Sequence, residues 1–138
     1  MMPEKKRLVL IGWKVVCVAY NALYDRGLVS FLLTRESRNK VEALANSING
    51  SFFGTKNYES AELKAVAFLY FIIKDHAFTD GNKRTATLVF EVACELNGMQ
   101  PTYGDFTLDE LAVFIERHKS TDHRKFIGRM AKMLFNGR

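Results

Sequence analysis

Proline is nearly absent: Pro3 and Pro101 are the only two in 138 residues. Proline is the strongest breaker of helix interiors, so little interrupts the long periodic stretches between them. Cysteine is as scarce. Cys17 and Cys94 both lie in apolar runs and read as reduced core residues, not as a disulfide. There is no CxxC and no Cys/His cluster, so nothing suggests zinc. No apolar run reaches the ~20 residues needed to span a bilayer. The segment LVLIGWKVVCVAY follows several charges and looks superficially like a leader, but Lys14 interrupts it and no small-residue cleavage site follows. It reads as a core helix of a cytoplasmic protein without a membrane partner. Repeats, linkers and low-complexity tracts are also missing. One domain over residues 1–138 is therefore expected.

What is present is ordinary globular material, 48% hydrophobic and 25% charged. A net charge of +5 favours an anionic partner only weakly. Its basic groups, Lys5, Lys6 and Arg7 and then Arg124, Lys125, Arg129 and Lys132, read as solvated faces. Three-and-four spacing of apolar residues predicts a helix from about Trp13 to Arg26, with Val16, Cys17, Tyr20, Leu23 and Tyr24 inward and a stop near Gly27. A second runs from about Arg35 to Ile48, with Val41, Leu44, Ala45 and Ile48 inward. The pattern then breaks at NGSFFGTKNY, residues 49–58, whose glycines and turn residues predict a short hairpin. Ser60 is a candidate N-cap for a helix to about Lys74 that is apolar nearly all round and so belongs at the centre of the domain. A further helix spans about Lys83 to Asn97 and ends at Gly98. Thr107 or Asp105 caps the next, with Leu108, Leu111, Phe114 and Ile115. The last, from about Thr121 to Phe135, carries Phe126, Ile127, Met130, Met133 and Leu134. The fold class is all-α, with one small β-hairpin before the central helices.

Between the two central helices lies HAFTDGNKRTA, residues 76–86. A base, an acid, an amide and two cations are crowded between apolar segments. Gly81 and Asn82 tolerate left-handed backbone and can turn successive N–H groups toward one point at the positive end of a helix, a setting for phosphate. Lys83 and Arg84 fall in the first helical turn, where the dipole repels cations. A bound polyanion would remove that conflict. Asp80 beside such a nest is a natural Mg²⁺ ligand, because magnesium combines one or two carboxylates with phosphate oxygens. His76, at the mouth of the loop, could take a proton from an attacking hydroxyl. Phe78 would anchor the loop in the core.

Taken singly, each of these residues has an ordinary explanation. Together they resemble the signature of the Fic/Doc (Fido) family, His-x-Phe-x-Asp/Glu-Gly-Asn-Gly/Lys-Arg, which His76, Phe78, Asp80, Gly81, Asn82, Lys83 and Arg84 all match. The resemblance is good over about residues 45–100 and general elsewhere. It implies a helical Fido-type domain and a transferase that moves AMP, or in the Doc branch a phosphate, from ATP to a hydroxyl of a target protein. It implies His76 as base, Asp80 as Mg²⁺ ligand, and Gly81, Asn82, Lys83 and Arg84 as phosphate ligands. It also implies that the hairpin is a flap whose Phe52, Phe53, Gly54 and Thr55 dock the target.

The departures bear on the branch. AMP-transferring members usually have glycine at the Lys83 position, a second arginine at the Thr87 position and Pro at the Ala77 position. Lys83 and Thr87 lean toward Doc-like phosphoryl transfer, while Asp80 and Gly81 keep the AMP-transferring pattern. AMP transfer is therefore the alternative, and an inactive binding module the third reading. Many relatives carry an inhibitory Ser/Thr-x-x-x-Glu-Gly/Asn helix. None is found here, since Glu42 and Asn46 fail its spacing. The chain then either lacks built-in inhibition or depends on an inhibitory partner such as an antitoxin. A nucleic-acid-binding module built on the basic last helix and FFGTKNY has no recognised motif behind it.

Overall fold

The computed structural model describes residues 8–119 and 121–136. The first basic group, Lys5 to Arg7, lies outside them. The described residues form α1 (Trp13–Asp25), α2 (Arg35–Asn49), β1 (Ser51–Phe52), β2 (Thr55–Lys56), α3 (Ala61–Lys74), α4 (Asn82–Leu96), α5 (Leu108–Arg117) and α6 (His123–Asn136). The strands pair antiparallel, Ser51 opposite Lys56 and Phe52 opposite Thr55. The expected all-α architecture with one hairpin is what is found, and helix ends differ from the sequence reading by only one or two residues.

α3 is the axis of the domain. It packs against α2, α4, α5 and α6, most extensively against α4. Val66, Ala67, Leu69, Tyr70 and Ile72 are fully enclosed, as expected of a helix with apolar residues on every side. Even Lys64 is buried, its ammonium 3.4 Å from the Ile48 carbonyl. Inward stripes of α1 and α2 fall where the periodicity puts them, with Val16, Tyr20, Val41 and Ile48 at 0–1% exposure. Local chemistry sets the ends. Thr34, Ser60 and Thr107 accept from Ser37, Leu63 and Glu110 N–H groups, and Thr107 with Glu110 forms a full capping box. Asp122 caps α6 through the Lys125 N–H at 3.0 Å.

Residues 8–12 are not helical. This segment lies across the helix ends and is fastened by two asparagines. The Asn97 side chain exchanges hydrogen bonds with Val9 N–H and C=O at 2.8 and 3.0 Å, and Asn49 Nδ2 donates to Ile11 O at 2.8 Å. One expectation is corrected. Phe114 and Met133, read as stripe residues of the last two helices, are 52% and 47% exposed. They flank a groove of about 840 Å³ between α5 and α6. The two helices bury one edge each against α3 and diverge on the outer side.

Candidate active site

The motif loop begins where α3 stops. Ala77 N–H bonds to Ile72 O and His76 N–H to Ile73 O, the paired bonds of a Schellman ending with His76 as its left-handed residue. α1 and α4 end in the same way, through Leu28 to Leu23 with Gly27 to Tyr24, and through Met99 to Cys94 with Gly98 to Glu95. There the left-handed residue is glycine, with φ of 73° and 64°. At α3 it is His76, with φ 46°. A residue with a Cβ is strained in this region by about 1–2 kcal/mol. His76 is exposed and its imidazole makes no hydrogen bond among the described residues, so packing does not account for the choice. What the turn achieves is to lift the imidazole off the helix end into solvent, while Ala77 and Phe78 drop back into the core at 1% and 3% exposure.

Phe78 is the expected anchor. Its ring stacks on Tyr20 at 4.3 Å, and the Tyr20 hydroxyl is held by Phe31 O at 2.6 Å. The loop is then closed by Asn82, in a role the sequence did not suggest. Its Oδ1 accepts from Phe78 N–H and its Nδ2 donates to Phe78 O, both at 2.8 Å. The amide side chain is therefore a clamp across the loop, and only the Asn82 backbone is left to meet a ligand. Gly81 has φ 75° and precedes α4. A Cβ there would collide with Cγ1 of Val29 and lie 3.2 Å from its Cβ, so glycine is required for both conformation and space.

Because Gly81 has no side chain to offer, α4 starts without the cap that α2, α3 and α5 possess. Its first-turn N–H groups are open donors at the positive end of a 15-residue helix. Asp80 stands beside them. Its Oδ2 accepts from Ser30 N–H at 3.2 Å, which ties the motif to the loop after α1. Burial, and then the nearby Asp80 charge, push the Tyr20 phenol pKa up. Among the described residues no cluster of three His, Cys, Asp or Glu could cage a metal. The donor set suits Mg²⁺ only in the form magnesium prefers with nucleotides, one carboxylate completed by phosphate oxygens and water.

The two cations part company. Arg84 is exposed, and its guanidinium has no hydrogen-bond or ion-pair partner among the described residues. Lys83 was expected on the polyphosphate. Its Nζ lies 2.7 Å from Glu116 Oε2 in the last turn of α5. Its charge conflict with the α4 dipole is therefore relieved within the protein. Thr87 is buried, and its hydroxyl donates to Arg84 O at 3.0 Å.

The hairpin carries the other strained residue. Phe53 has φ 49° and Gly54 φ 77°, a two-residue turn with both central residues left-handed. Phe53 is 92% and Phe52 68% exposed, with their rings 4.4 Å apart in an edge arrangement. Among the described residues Phe53 and His76 are the only non-glycine positions with positive φ. No hydrogen bond or ring contact joins the hairpin to the motif loop directly. Its base is held by Arg124, which donates to Asn57 O at 3.0 Å and lies over the Tyr58 ring. Tyr58 packs against Phe71, and Phe71 against His123, toward the end of α3 that carries His76.

Glu116, Lys74, Ser30 and Val29 are the site neighbours that sequence reasoning missed. Glu116, Ser30 and Val29 reach the motif from far along the chain, Lys74 stands just before it, and none carries a local signal. No curated protein and no solved structure matches the chain. A family model described as the Fic/DOC family matches residues 19–94, which take in the hairpin, α3, the whole motif loop and nearly all of α4. That span is more than half of the sequence, and the chain belongs to the Fic/DOC family.

Proposed function

We propose that this protein transfers the γ-phosphoryl group of ATP to a hydroxyl side chain of a target protein, with His76 as general base. The coarser part, a nucleotide-dependent transferase acting on proteins, is what the family suggests. The observation that supports the rest is the strained left-handed backbone of His76, whose imidazole has no hydrogen-bond partner among the described residues, a few residues before the uncapped start of α4. Backbone strain of this kind is retained where it serves function. In this reading His76 accepts the proton of the target hydroxyl as its oxygen attacks the γ-phosphorus, the bond from that phosphorus to the β–γ bridging oxygen breaks, and ADP leaves. The open N–H groups of Asn82 and Lys83, with Arg84, hold the phosphate oxygens and balance their charge, the dominant contribution in such transfers. Asp80 would hold Mg²⁺, which supplies further charge neutralisation when bound. The exposed edge of the hairpin would receive an extended target segment by strand addition, with Phe52 and Phe53 as its apolar contacts.

Phosphoryl transfer is favoured over AMP transfer by two positions. Lys83 adds a charge where AMP-transferring relatives have glycine. Thr87 is buried and offers no second guanidinium. The test uses ATP labelled at the α- or the γ-phosphate, added to lysate with purified protein. Label from the γ-position should enter a protein band, and His76→Ala should reduce it ~10²–10⁴-fold. Lys83→Gly should lose this activity or gain some AMP transfer. Label entering from the α-position would make AMP transfer the correct chemistry, and none from either would leave a binding module.

A further inference from the structure

Lys83 sits on the first turn of α4 and Glu116 on the last turn of α5, 33 residues apart, yet their charges meet at 2.7 Å. The helix end that carries this carboxylate is held from the other arm of the motif as well. Lys74, the last residue of α3, donates to the backbone carbonyls of Glu116, at 3.3 Å, and of His118. The end of α5 is therefore fastened to the helix before the motif loop by Lys74 and to the helix after it by Lys83. Arg117 and His76 add their fields to Glu116, and the Lys83 hydrogen bond, foremost among these influences, holds its carboxyl below the usual range. Glu116 is thus a fixed anion at the edge of the site, neighboured by cations.

We infer that Glu116 is a positioning residue that competes with a bound polyphosphate for Lys83, and so sets how strongly the site grips its nucleotide. The proposal rests on the reading of α4 as a phosphate site. Lys83 has a long, rotatable stem and a single point charge. Its ammonium can serve Glu116 or a phosphate at the start of its own helix, and turning to one means releasing the other. With the pair intact, the nest presents Arg84 and N–H donors alone. When a polyphosphate takes Lys83, Glu116 is left with Arg117 and His76. Both side chains of the pair are 41% exposed. Exposed pairs are weak enough to be exchanged, which suits a reversible competitor better than a structural strut.

Isothermal titration with ATP, AMP and Mg²⁺ in excess provides the test, using wild type, Glu116→Gln, Lys83→Met and the double variant. Thermal melts establish that all four are folded, as expected for changes at an exposed pair. Glu116→Gln should tighten ATP about two- to five-fold, the equilibrium equivalent of one exposed ion pair. It should change AMP less, and the gain should vanish in the Lys83→Met background. A purely structural Glu116 would show as a lower melting temperature with no coupling to Lys83 in affinity. If Arg84→Ala weakens ATP binding but Glu116→Gln leaves it unchanged or weaker, the competition is refuted while the phosphate site stands. If wild type binds no ATP, or Arg84→Ala binds it equally well, the site assignment falls and the competition with it.

Discussion

Replacing His76 by glycine should make the protein more stable and inactive at once. The residue sits at φ 46°, in the place that α1 and α4 fill with Gly27 and Gly98. Removing its Cβ relieves about 1–2 kcal/mol of left-handed strain. The added freedom of glycine in the unfolded chain takes back about 0.5–1 kcal/mol. No hydrogen bond or burial is lost, because the imidazole is exposed and unpartnered by hydrogen bonds among the described residues. At the midpoints of those ranges the net gain is about 0.75 kcal/mol, or about 2–4 °C in melting temperature for a domain of this size. His76→Ala is the internal control. It keeps a Cβ and hence the strain, and should melt within about 2 °C of wild type, as exposed substitutions do. Both variants should lose transfer equally. Differential scanning calorimetry on the three proteins decides the matter, with the labelled-ATP assay alongside. If His76→Gly melts no higher than His76→Ala, the strain is not real and the inference from strain to function loses its base.

Gly81→Ala should do the opposite. Left-handed strain and the collision with Val29 together cost about 2–4 kcal/mol, lowering the urea midpoint, and Val29→Ala in the same chain should recover part of the loss; additive losses would show that the two residues do not touch. The cysteines should be silent. Burial raises the pKa of Cys17 and, above all other influences, pushes Cys94 up to about 12, so at pH 8 Cys94 holds almost no thiolate and Cys17 less than a free thiol would. Ellman's reagent should label neither within minutes natively and both in guanidinium, and rapid native labelling would contradict their placement.

The helices were legible because each carries its own signal. The stripe of α2, the capping pair Thr107 and Glu110 and the all-round apolar run of α3 are local facts. The motif was legible as a set of residue types but not as a geometry. The clamp that the Asn82 side chain makes on Phe78 was not legible, since a side-chain amide that closes its own loop cannot be told in sequence from one that faces a phosphate. Lys83 looked free because its partner lies on another helix, and the Ser30 N–H that holds Asp80 lies in the loop after α1. The left-handed turn at His76 left no trace either, since nothing in FIIKDHAF marks the histidine as standing where glycine usually does. Phe114 and Met133 misled for another reason. Periodicity finds the apolar face of a helix, and not how much of that face a neighbour covers.

The two asparagines that fasten residues 8–12 also set how the purified protein will age. Asn49 is followed by Gly50 and Asn97 by Gly98. In Asn-Gly pairs no side chain shields the next amide nitrogen, which can attack the asparagine carbonyl and release ammonia through a cyclic imide. Here the folded state opposes that chemistry, because the Asn97 amide is occupied by Val9 and Ala93 and the Asn49 amide by Ile11. Once converted to aspartate, either side chain would have lost its N–H donor and would turn a negative charge toward a backbone carbonyl. The N-terminal segment would then come loose from the helices, and the sample would drift toward acidic forms on storage. Deamidation mapped to Asn49 and Asn97, apart from the third Asn-Gly pair at 136–137, would therefore report the opening of one small clasp.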